Sequence, residues 1–159
     1  MLIDVIGDDE TALKVYHLKD GVRRIYKSME ALFNSGLEVI PHVLIGLNYG
    51  KIRGEYKALR EISNFKPKSV VIIALMPLLH TEMVNVEPPS PSTIASFLVD
   101  TRFLMPKTKI NLGCARPRGR HRYETDELAI DSGVNKIAIP SERGIKRAQS
   151  YGLDIKFEY

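Results

Sequence analysis

A helix-like stretch that ends on glycine and runs straight into an aliphatic residue recurs in this chain at Gly36-Leu37, Gly133-Val134 and Gly152-Leu153. Glycine after the last helical turn adopts the left-handed conformation without a Cβ penalty, so each joint marks where a helix stops and a strand begins. The repetition is the echo of one strand–helix unit and fits right-handed crossovers between parallel strands. An α/β fold of parallel βα repeats follows.

The segments between the joints agree. Leu2–Ile6 is a short apolar run that stops at Gly7-Asp8-Asp9, and a variable region containing His17 follows. Val22, Ile25, Met29, Leu32 and Phe33 form one apolar helical stripe. Val39–Leu47 reads as a strand, with Pro41 near its start. Tyr56, Leu59, Ile62 and Phe65 repeat the helical spacing, and Ser69–Leu75 is apolar enough for a strand covered on both faces. Ser90-Pro91 opens a helix, since the serine oxygen caps free amides and proline suits the first turn. That helix carries Ile94, Phe97, Leu98 and Thr101 on its core side and closes at Met105-Pro106. Lys109–Leu112 is a strand, Glu124–Asp131 a shorter helix and Lys136–Ile139 a last strand, before a helix capped by Ser141.

Five strands and about as many helices in 159 residues, with no interdomain linker, make a single domain over 1–159. They leave two architectures, a doubly wound sheet or an incomplete TIM-type barrel of about five strands. A closed barrel needs eight strands and roughly 250 residues.

Composition narrows the class. A formal charge of +4 allows an anionic ligand without requiring nucleic acid, and basic residues are not interleaved with aromatics as a nucleic-acid binder would arrange them. The one cysteine, Cys114, excludes an internal disulfide. VVIIALMPLL is too short to span a membrane, and the acidic start MLIDVIGDDE is unlike a secretion signal. The expectation is a cytoplasmic protein without membrane contact.

Parallel α/β proteins place ligand chemistry in the loops after their strands. Here Arg116, Arg118, Arg120 and Arg122 crowd into the segment after Leu112. The guanidinium fork of Arg116 or Arg118 matches a carboxylate or phosphate, while a basic turn paired with Glu124, Asp126 and Glu127 is the plainer reading. Asp8, Asp9 and Glu10 suit a hard cation or a helix cap. His17, His42, His80 and His121 have no zinc-site spacing, so no metal ligand is assigned. His42, alternating with Val43, points into a site or packs. Gly46, Gly50 and Gly54 match neither a dinucleotide loop nor a phosphate loop. Cys114 has a basic neighbourhood but no identified histidine partner.

IDVIG, the Gly36-Leu37 joint leading to PHVLIGL, VVIIALMP and INLGCARPRG, in this order, resemble successive parts of biotin-synthase-like radical S-adenosylmethionine proteins. The resemblance runs over nearly the whole chain and implies the C-terminal five βα units of that barrel. It implies that the segment around Gly46, with Asn48 and Leu75, seats the adenosyl part of S-adenosylmethionine. His42 and Tyr49 stand where the family often has glycine and glutamate. Arg116 corresponds to the family's arginine near the substrate or an auxiliary cluster, and Asn111, His42 and Arg118 join it as substrate or anion contacts.

Family members also hold a [4Fe–4S] cluster on a Cys-x3-Cys-x2-Cys loop. One cysteine cannot build it, so the chain alone is expected to be inactive, its cluster coming from a missing segment or a partner. An open arc also favours self-association into a homo-oligomer or a complementary cluster-bearing protein. Two other classes remain: a small α/β protein that binds a phosphorylated or carboxylated metabolite, and a non-catalytic scaffold or polyanion-binding module.

Overall fold

In the computed structural model, which describes residues 1–157, strand and helix alternate along the chain. The order is β1 (Leu2–Asp4), α1 (Asp9–Tyr16), α2 (Val22–Asn34), β2 (Ile40–Ile45), α3 (Glu55–Asn64), β3 (Ser69–Ala74), α4 (Pro91–Leu104), β4 (Lys109–Leu112), α5 (Arg120–Asp131), β5 (Lys136–Ile137) and α6 (Glu142–Ser150). All neighbouring strands pair in parallel, and the sheet order is the sequence order β1-β2-β3-β4-β5. A doubly wound sheet would reverse direction at a switch point. This one does not, so the fold is an open TIM-type arc of βα repeats.

The alternation within each strand shows which face the helices cover. Val43 and Ile45 of β2, Val70, Ile72 and Ala74 of β3, and Ile110 and Leu112 of β4 are buried. They share one core with Met29 of α2, Leu59 and Ile62 of α3, and Ile94, Phe97 and Leu98 of α4. Each such aliphatic or aromatic side chain contributes about 1.5–3 kcal/mol by leaving water. A smaller cluster at the carboxyl end of the first strands joins Ile6 and Leu47 to Ala12, with Val15, Leu18 and Leu44 packed against it.

The alternate residues lie on the opposite face of the sheet, where Ile40, His42, Leu44, Val71, Ile73 and Asn111 are only half-buried. Register aligns them. Asp4 lies opposite His42, His42 opposite Val71, Val71 opposite Asn111 and Asn111 opposite Lys136, so one row crosses all the strands.

Several expected ends hold to the residue. Ser90 caps α4 by accepting from Thr93 N, with proline in its first turn, and Ser141 caps α6 by accepting from Gly144 N. Gly36, Gly133 and Gly152 all have positive φ. Three readings change. The region after Gly7 contains α1, nucleated by Asp8, whose carboxylate accepts the Thr11 amide. The fifth helix begins at Arg120 rather than Glu124, after Gly119 at φ 65°, and the Arg120–Glu124 pair spans its first turn. Arg120 and Arg122 therefore belong to a helix and not to the loop. β5 is also shorter than Lys136–Ile139.

Candidate functional site at the carboxyl edge

The loops after the strands converge on the carboxyl edge of the sheet. Between α1, the loop after β2 and the loop after β3 lies a cavity of 340 Å³, walled by Val15, Tyr49, Leu75, Met76, Leu78 and Met83, with Lys14, His17, Thr81 and Glu82 around it. The Tyr49 hydroxyl donates to Glu82 Oε2 at 3.1 Å, which links two of these loops, and Lys14 Nζ donates to Glu10 at 2.7 Å. Apolar and thioether walls with a few polar groups suit a flat, mostly apolar ligand group.

Of the three residues assigned to a cofactor, Leu75 lies in this wall. Gly46 and Asn48 are committed behind it. Gly46 has φ 79°, and a Cβ there would fall 2.3 Å from Pro89 Cγ, so glycine lets the two loops meet. Its amide donates to Glu55 Oε1 at 2.9 Å. Asn48 Nδ2 donates to Thr11 Oγ1 at 2.8 Å, and that hydroxyl donates to Asp8 at 2.7 Å. Asn48 holds the loop after β2 against α1, and Gly46 holds it against Glu55 of α3 and close to Pro89.

Glu55 was not singled out in the sequence. It is buried, and its carboxylate also accepts the Arg53 amide. Burial raises its pKa above the ordinary carboxylate value, while the backbone amides that point at it partly restore the charged form. An acid in the first helical turn after Gly54 is the one sequence signal for it.

The arginine cluster divides. Arg116, expected as an anion contact, is fully buried, with its guanidinium bonded inside the protein. Nε donates to Asp126 at 2.7 Å, one terminal nitrogen to the Gly113 and Ala138 carbonyls at 2.6 and 3.0 Å, and the other to Ile139 O at 3.2 Å. Asp126 also accepts the Ser141 amide at 2.7 Å. The pair fastens the loop after β4 to α5, to the chain after β5 and to the start of α6. Arg118 is exposed. Arg122 donates to Ile139 O, and Arg120 pairs with Glu124. The four arginines thus make no single anion pocket.

His42 and Asn111 share the row across the open face, with Val71 between them. His42 Nδ1 lies 3.6 Å from Asp4 Oδ1, and Tyr16 donates to the other Asp4 oxygen at 3.1 Å. Burial lowers the His42 pKa, and the Asp4 charge partly offsets this. Alternation in the strand had flagged His42, but Asp4 shows its relation to it only through register.

Cys114 is exposed in the loop after β4, and no group of three or more metal-ligating side chains occurs among the described residues. These residues do not fit a [4Fe–4S] cluster. No helix among them is long and apolar enough to cross a membrane.

No protein-family model matches the chain. Over 112 residues, 69% of its length, it is 28% identical to the biotin synthase of Ruthia magnifica subsp. Calyptogena magnifica. The chain spans about a third (34%) of that protein's length.

Proposed function

We propose that this chain supplies part of the barrel of a radical S-adenosylmethionine enzyme of the biotin-synthase-like kind. In this reading the carboxyl-edge cavity receives the adenosyl end of S-adenosylmethionine, and the open face receives substrate. The observation that carries it is the cavity itself, at the ligand-binding end of a sequential parallel arc, with Leu75 in its wall. The similarity to a biotin synthase supports it independently.

Leu75, Met76 and Tyr49 would flank the adenine ring, and Lys14 and Glu82 would meet the charged amino-acid end. Gly46 and Asn48 act as positioning residues through the contacts described above. One-electron cleavage of S-adenosylmethionine is the chemistry that an iron–sulfur cluster supplies when bound. The cluster ligands would come from a complementary segment or partner, and this chain alone is inactive in that reaction. The metabolite-binding alternative loses its paired guanidiniums, since Arg116 is turned inward.

Calorimetric titration with S-adenosylmethionine tests the reading. Saturable binding to the wild type, weakened at least tenfold by Leu75→Asp and unchanged by Leu79→Asp on the exposed part of the same loop, is the expected result. Absence of binding, or equal binding by the Leu75 variant, would overturn it.

A further inference from the structure

We infer that the row Asp4–His42–Val71–Asn111 on the open face binds an elongated zwitterion, an aliphatic chain with an ammonium group at one end and a carboxylate at the other. The inference rests on the reading of this face as the substrate side and names the class of substrate.

Three observations carry it. The first is register, which sets these residues side by side with their side chains on one face. The second is polarity. Asp4, joined by Tyr16 and facing His42, puts acceptor oxygens at the β1 end. Asn111 offers an amide donor at the β4 end, beside exposed Lys109 on the same face and next to Lys136 in the row. The third is the apolar middle. Val71 separates the two polar ends, with Ile73 and Leu44 one step toward the carboxyl edge and Ile40 one step away.

A ligand with both ends charged and a hydrocarbon middle complements all three. Neighbouring strands lie about 4.8 Å apart, so the polar ends are separated by roughly 10 Å from β2 to β4 and about 14 Å from β1 to β4. An extended chain covers roughly 3.5 Å in three bonds, so about eight bonds span the shorter distance and about twelve the longer, and affinity should rise with chain length toward that span. The Asp4 carboxylate, still half-exposed at 52%, has surface left for an ammonium group.

The test is a titration of the chain with 4-aminobutanoate, 6-aminohexanoate and 8-aminooctanoate, with octanoate and octylamine as controls. Heat and the shifts of the His42 ring and Asn111 amide signals would be followed. The expected result is tightest binding of 8-aminooctanoate, at least tenfold over 4-aminobutanoate and over both controls. Asp4→Asn should weaken the amine-bearing ligands and spare octanoate, and Asn111→Leu should weaken the carboxylates and spare octylamine. Affinity independent of chain length, binding unaltered in both variants, or no binding at all would overturn the inference. The length series needs no variant to fold. S-adenosylmethionine binding without aminoalkanoate binding would sink this inference alone, whereas the reverse would sink only the cofactor reading.

Discussion

The Asp126 carboxylate accepts the Nε–H of Arg116 at 2.7 Å with both side chains wholly buried, and its other oxygen accepts the amide of Ser141, the residue that caps α6. A guanidinium that looks from sequence like a ligand fork is the clamp that joins the last repeats. Removing one partner leaves an uncompensated buried charge. Arg116→Met should therefore cost about 3–5 kcal/mol. Exposed Arg118→Met should stay within about 0.5 kcal/mol. Urea denaturation of the two variants checks this. Equal stabilities would show that the clamp does not bear on folding.

The His42 ring should titrate below its ordinary value, because burial disfavours the imidazolium. Between that folded pKa and an unfolded value of about 6.5, the unfolded chain binds more protons. Stability from this group is thus complete above about pH 6.5 and is lost as pH falls through the folded pKa. His42→Asn should flatten that part of the curve of Tm against pH. Asp4→Asn should move the His42 midpoint lower still, since the Asp4 charge works against the shift. NMR titration of the ring reads both, and an upward move in the Asp4 variant would contradict the arrangement.

Gly46 and Gly36 both have positive φ, but only Gly46 is crowded. Gly36→Ala should cost the backbone penalty alone, about 1–2 kcal/mol. Gly46→Ala should cost more, because the new methyl group meets Pro89 at the joint of two loops. It should also weaken any ligand in the adjoining cavity. Denaturation midpoints rank the two variants, and the opposite order would refute the packing argument.

Asp131 is held below the ordinary carboxylate range by hydrogen bonds from Arg147 and Tyr151. Its contribution should be present above about pH 4 and fade as pH falls through the lowered folded value. The pair is partly exposed, so the effect is small and salt-sensitive. The Tm difference between wild type and Asp131→Asn should close in acid and shrink in high salt.

The legible part of this molecule was local. Ser90, Ser141 and the glycines after helices carry their own backbone chemistry, so they marked element ends directly. Alternation with Val43 also flagged His42, whereas Asn111 entered only through the family resemblance. Partnership across elements was not legible. Nothing near Arg116 in sequence says that Asp126 would meet it inside, and Glu55 reads as an ordinary first-turn acid until Gly46 folds over it. The first helix was hidden because Asp9–Tyr16 is short and its stripe is interrupted by charged residues.

The most direct test is to recover the chain from its source cells with whatever it binds, then assay iron and the reductive cleavage of S-adenosylmethionine. Iron is expected only in a complex whose other component, or adjoining segment, carries a Cys-x3-Cys-x2-Cys loop. That complex should release 5′-deoxyadenosine on reduction. A monomer with neither iron nor affinity for S-adenosylmethionine would contradict this reading.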